Sequence, residues 1–258
     1  MGSEAVLFDV TGKVATITLN RPEVLNSFNG ETADLMSKAW CRVRDDDGIH
    51  VTVLRAAGDR AFSTGADIRS DTSWIYTPNI WNTVDPGKMM SPKQHHRVWK
   101  PVVAAVHGMC AGGGQYFINE ADIIICSDDA VFFDPHANVG IVSSLEPVGM
   151  LHRGVPLGDV LRWALMGNEE RITAETALRL GLVTEVVPRE QLRDRAREIA
   201  LSIARRNPKA IQGTIRAIWE SLDTTRTAAI QGGLSYTHIG NYPSAPPAPR
   251  DKKETQYR

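Results

Sequence analysis

Residues 100–142, KPVVAAVHGMCAGGGQYFINEADIIICSDDAVFFDPHANVGIV, decide the reading of the chain: a buried strand, a glycine-rich turn, a helix, a second strand and a loop follow one another there. Residues 102–106 are a continuous apolar run rich in β-branched side chains, as in a strand covered on both faces. Gly108, then Gly112, Gly113 and Gly114, interrupt it. Three consecutive glycines carry no Cβ to hold a ligand off the backbone, and a helix over 115–121 would open with amides that lack intrahelical acceptors. Two readings follow. In one, these N–H groups and the helix dipole stabilise an oxyanion; in the other, the glycines serve tight packing alone. A phosphate cradle fits less well, because no Lys-Ser/Thr pair follows the glycines and the spacing is not G-x-G-x-x-G.

The 258 residues suffice for a single large domain with a substantial core. Basic and acidic residues number 29 and 30, so charge gives no reason to expect nucleic acid or an anionic membrane as partner. Cys41, Cys110 and Cys126 are odd in number and lack metal-ligand spacing, which predicts reduced structural thiols and no metal. Without a signal-like N-terminus or an apolar run near the roughly 20 residues that span a bilayer, a cytoplasmic location is expected.

Outward from the glycine turn, residues 6–9 and 14–19 alternate around Thr11-Gly12-Lys13 and predict an opening hairpin. Ala33, Leu35, Met36, Ala39, Trp40 and Val43 recur at helical spacing, and residues 51–54 form the next strand. Strand, helix, strand repeats in 100–142, which argues for an α/β fold with right-handed crossovers. Residues 70–92, with Trp74, Tyr76 and Trp81, read as a long mobile or partly helical loop, and 94–99 as a short helix carrying His95 and His96, one facing inward and one outward. Helices are predicted over 149–155 and 157–166, over 174–180 behind a Thr173 cap with Gly181 as its stop, and on either side of Pro208. A strand at 183–187 precedes this helical back third, and the tail from Tyr242 reads as extended or disordered unless a neighbouring subunit holds it.

Four segments, VATITLNRPEVLNSFN (14–29), VTVLRAAGDRAFSTGADI (51–68), KPVVAAVHGMCAGGGQ (100–115) and ITAETALRLGLVTEVV (172–187), together resemble the crotonase, or enoyl-CoA hydratase/isomerase, superfamily in that family's order. The resemblance implies a ClpP-like spiral of β-β-α turns in residues 1–195, and a helical region and tail in 196–258 that make homotrimers, often paired into hexamers. It implies an acyl-CoA substrate and no cofactor beyond the coenzyme A of the substrate itself. By this resemblance Ala66 and Gly113 match the positions whose N–H groups hold the thioester oxygen, and Val24, Leu25, Ser63, Thr64, Asp67 and Ile68 match those lining the CoA passage; Asp67 could equally cap a turn. The physics agrees: attack at Cβ, or proton loss at Cα, gathers charge on that oxygen, and two preset amides favour the enolate over the ground state.

The chain departs from the hydratase pattern at two places. Where hydratases of this family carry two glutamates, residues 116 and 136 are Tyr116 and His136. Water addition needs one group to activate water and one to deliver a proton, so ordinary hydratase chemistry requires substitutes here. His136 titrates near neutrality, and Glu146 ten residues on could orient it, as in family members that use His with a carboxylate. Tyr116 is a hydrogen-bond donor or a wall of the pocket. The expected activity is therefore that of an acyl-CoA lyase or isomerase using His136 and Glu146. The alternatives are a β-diketone carbon–carbon hydrolase on the same fold, and a non-catalytic binding subunit.

Overall fold

A computed structural model describes residues 4–73 and 86–240. The opening hairpin pairs β1 (Val6–Thr11) with β2 (Val14–Leu19) across Gly12, whose φ of +62° suits glycine. Helix α1 (Gly30–Asp45) follows, and the Asn29 side chain caps it by accepting from the Thr32 amide. Then come three long-strand and short-strand pairs: β3 (Val51–Ala56) with β4 (Ala61–Ser63), β5 (Val102–Val106) with β6 (Met109–Ala111), and β7 (Ile123–Ser127) with β8 (Val131–Phe133).

The long strands β3, β5 and β7 lie side by side and parallel in a six-stranded sheet of order β1-β2-β3-β5-β7-β10, where β10 is Glu185–Val187. The short strands β4, β6 and β8 lie side by side, also parallel, in a second sheet that β9 (Ile172–Thr173) closes. Each step of the first sheet is thus matched by a step of the second, and this is the β-β spiral.

Alternation along β5 shows how the layers form. Val102, Ala104 and Val106 join the core that includes Trp40 and Met36 of α1, while Val103 and Ala105 face the cluster built on α5 (Leu192–Ala204). With both faces covered, the strand is apolar throughout, as its sequence predicts. Helices α2 (Leu145–His152), α3 (Leu157–Met166) and α4 (Ala174–Arg179) follow β8; Thr173 caps α4 through the Thr176 amide. The chain then runs through α5, α6 (Pro208–Glu220) and α7 (Arg226–Gly240). Among the described residues no helix is long and apolar enough to cross a membrane.

Several local expectations need correction. Residues 94–99 form turns rather than a helix, although His96 is buried and His95 exposed, as the inward and outward placement required. The predicted helix over 115–121 is a short 3-10 turn, Gly112–Phe117, because Ile118 already bonds back to Gln115 and the chain leaves toward β7. Helix α2 begins four residues earlier than expected: Pro147 sits in its first turn, where the missing N–H has no intrahelical partner to lose. Trp74, Tyr76, Trp81 and the tail from Tyr242 lie outside the described residues.

Candidate active site

Three short parallel strands end at the same edge of the second sheet, and the three residues after each supply the site. Thr64-Gly65-Ala66 follow β4, Gly112-Gly113-Gly114 follow β6, and Asp134-Pro135-His136 follow β8. Neighbouring strands are about 4.8 Å apart, so groups at equivalent offsets must converge. Ligands of parallel sheets collect at this carboxyl edge.

At the first loop, the Phe28 amide donates to the Gly65 carbonyl (2.9 Å) and the Asp67 amide to the Phe28 carbonyl (2.8 Å). Bonding to the residues on either side of Ala66 leaves Ala66's own N–H pointing away from Phe28. Among the described residues it has no hydrogen-bond acceptor. Gly65 brings the second loop close: a Cβ there would stand 3.0 Å from the Gly113 nitrogen, and its φ of +85° is open to glycine. The Gly113 amide lies in the first turn of the 3-10 segment and so lacks an acceptor within it. Gly112 in turn admits the third loop, since a Cβ on it would press on Pro135 and on His136 Cε1 at 3.3 Å.

The remaining residues assigned to the CoA passage are disposed unevenly. Val24 and Leu25 are half-buried on the turn after β2, and Ile68 is 82% exposed. Ser63 is fully buried, with its hydroxyl donating to the Asn26 carbonyl (2.8 Å), and Thr64 Oγ1 lies 3.5 Å from the Leu25 carbonyl. Asp67 is committed to structure: one oxygen pairs with Arg21 (2.8 Å) and the other accepts from the Arg69 amide (3.2 Å).

At the third loop the ionisable groups meet. His136 Nδ1 is hydrogen-bonded to Asp134 Oδ1, and the His136 amide donates to that same oxygen at 3.0 Å. Asp134 is wholly buried. The other ring nitrogen, Nε2, stands 3.7 Å from Glu146 Oε1. The Tyr116 side chain acts on the Glu146 carboxylate, favouring its ionised form, and completes the group. The bond to Asp134 raises the His136 pKa above its ordinary 6.5, against the pull of burial. Burial pushes the Glu146 carboxyl up, with His136 and Tyr116 opposing. Asp134 is held below the usual carboxylate range: burial works against ionisation, but the bonds from His136 outweigh it. The shifts of His136 and Glu146 are both upward: Asp134 favours the imidazolium form of His136 and burial favours the protonated form of Glu146, and the two groups face each other across the distance over which a proton would pass.

Helix α2 delivers Glu146 because its first turn is tied down. Asn119 Nδ2 donates to the Glu146 carbonyl (3.1 Å), and Arg153 just beyond the helix donates to the Ala121 carbonyl (2.7 Å). Beyond Tyr116 a cavity of 360 Å³ opens between α2 and α6.

The structure therefore brings together Tyr116, His136 and Glu146, and sets Gly65, the neighbour of Ala66, against Gly113. Sequence reasoning missed Asp134. In Asp134-Pro135 it reads as a turn residue, and only its place two residues before a histidine at a strand end hints otherwise.

Comparison with known proteins agrees with this architecture. The profile of the family described as enoyl-CoA hydratase/isomerase matches residues 9–238. An (E)-benzylidenesuccinyl-CoA hydratase of Thauera aromatica is 34% identical over 234 residues, 91% of this chain and 88% of that protein. A carnitinyl-CoA dehydratase of Salmonella arizonae is 34% identical over 239 residues, 93% of this chain and 88% of the other. A crystal structure of an enoyl-CoA hydratase/isomerase from Mycobacterium paratuberculosis superposes with a TM-score of 0.82 at 34% identity, covering 92% of this chain and 89% of that one. Spiral, loop positions and similarity agree: the chain is an enzyme of the enoyl-CoA hydratase/isomerase family, the crotonase superfamily.

Proposed function

We propose that the protein adds water to an enoyl-CoA, or removes it from a 3-hydroxyacyl-CoA, with the Ala66 and Gly113 amides holding the thioester oxygen and the His136–Glu146 pair moving the protons. The observation that carries this reading is the chain of contacts Asp134, His136, Glu146 and Tyr116 at the edge where those two amides lie. Relatives named for adding and removing water support the same direction of chemistry.

The steps balance without a further reactant. Glu146 carboxylate takes a proton from water as its oxygen bonds to Cβ, and charge passes through Cα to the thioester oxygen, where two amides meet it. The His136 imidazolium then gives its proton to Cα. Transfer of the proton from Glu146 to Nε2, now 3.7 Å away, restores the starting state. Asp134 keeps the ring oriented and stabilises its charged form, so Nε2 rather than Nδ1 faces the reaction. Two carboxylates do this work in the hydratase pattern; here an imidazolium and one carboxylate do it.

The test is hydration of but-2-enoyl-CoA followed by loss of the conjugated-thioester absorbance. The wild-type chain is expected to turn over, and Glu146→Gln to lose about 10²-fold or more in kcat. Undiminished hydration by Glu146→Gln removes the carboxylate from the mechanism.

A further inference from the structure

A second cavity, of 260 Å³, lies on the face of the first sheet that α5 covers, and it shares no residue with the candidate active site. The ends of β3 and β5, the turn into α5 and that helix's first residues line it. Crevices past the carboxyl ends of parallel strands are where ligands of such sheets collect. Arg55 alternates with Val53 along β3 and so points to the α5 face, where Val53 is packed. His107 stands two residues after Ala105 of β5, and both line the cavity.

Three guanidiniums reach this cavity, and their partners differ. Arg189 is committed: it pairs with Asp129 and donates to the Asp59 carbonyl (2.7 Å). Arg55 gives only its Nε, to the Thr18 hydroxyl (3.1 Å), and Arg193 is exposed on the first turn of α5. Among the described residues neither Arg55 nor Arg193 meets a carboxylate within ion-pair distance. The two act on each other instead. After burial, the charge of Arg193 is the next cause holding the Arg55 pKa down, opposed by Asp9, which lies on β1 outside the lining. Asp59 and Glu190 also line the cavity, but both are exposed and neither acts on Arg55. Charges in the lining are thus similar in number yet not paired off.

The lining also holds an unsatisfied group. His107 is only 4% exposed, and its Nε2 has no hydrogen-bond partner among the described residues. Burial, followed by the charge of Arg189, brings its pKa down to about 4, so the ring is neutral and carries one N–H. A buried ring nitrogen without a partner is costly, and a ligand in the cavity it lines removes that cost.

We propose that this cavity binds a phosphoryl group, with Arg55 and Arg193 neutralising its charge and His107 hydrogen-bonded to it. Two guanidiniums that repel each other suit a doubly charged tetrahedral anion, because each fork can offer paired N–H donors to its oxygens. A single carboxylate would leave one of the two charges unmatched. The group comes as free phosphate or as a phosphomonoester. This inference does not depend on the enoyl-CoA reading above.

Orthophosphate titrated into the full chain by calorimetry, in chloride buffer of matched ionic strength near neutral pH, should bind saturably, and should still bind when butanoyl-CoA is already present in excess. In Arg193→Gln, with its circular dichroism spectrum unchanged, the dissociation constant should rise about 10-fold. Arg55→Gln should weaken binding likewise; if that variant fails to fold, the exposed Arg193 decides alone. The His107 ring-nitrogen resonance should move on saturation. Absence of saturable binding up to about 10 mM, undiminished binding by Arg193→Gln, an unmoved His107 resonance, or displacement by butanoyl-CoA overturns the proposal. Glycerol 3-phosphate separates the two sources: tighter binding than orthophosphate assigns a phosphomonoester, and equal or weaker binding assigns free phosphate.

Discussion

His136 can exchange protons in either direction because its two nitrogens face different partners. Nδ1 is held by a buried carboxylate and Nε2 looks toward a second one whose pKa burial has raised. Replacing it by Ala should lower kcat about 10²-fold or more with the circular dichroism spectrum unchanged; a loss under threefold would remove the imidazole from proton transfer. Asp134→Asn tests the support. The Asp134 bond is the largest cause raising the His136 pKa, so its loss lowers that pKa. An imidazolium that must give a proton is present below its pKa, and the high-pH limb of kcat should therefore move toward acid. An unmoved limb in a folded, slower variant assigns Asp134 to packing only. At this scale the sequence exposed His136 and Glu146 because a family position and a nearby acid drew attention to them. It hid Asp134, since an acid before proline has an ordinary use as a turn former and the contact depends on a strand ending at the residue just before it.

Elements deliver these residues, and one side chain joins several of them. Asp122 takes the β5 amide of Val102 (2.7 Å), the Lys93 ammonium (2.7 Å) and the Trp219 indole of α6 (2.7 Å). Asp122→Ala strands a buried ammonium, because Lys93 is only 3% exposed, and should cost about 3 kcal/mol or more in urea unfolding. A change under about 1 kcal/mol would mean that α6 docks by its apolar contacts alone. Among the elements, β2, β5, α1 and the Thr173 cap were legible because periodicity and local chemistry agree there. The segment after the glycines was not: its apolar residues allow a helix, but the chain must turn toward β7 after six residues. The early start of α2 was concealed by Pro147, which reads as a break although the first helical turn accepts it.

Over the whole molecule, three pairs of strands climb two sheets in step, and residues at equal distance past each short strand share one edge. The spiral was readable only through family resemblance, because strands of three residues carry little pattern of their own. One face of α3 leaves Leu157 at 60%, Leu161 at 49% and Leu165 at 73% exposed in one chain. Such a surface calls for cover, and light scattering is expected to find three or six copies; a monomer at micromolar concentration would contradict this. The ladder has a further consequence. Its rungs, such as Phe62, Cys110 and Phe132, are sealed in the interior, while the chemistry hangs two to four residues past them. Reagents on these overhangs can be exchanged like bits in a drill, with the chuck left unaltered, so a lineage could change the reaction it runs without relearning how to fold.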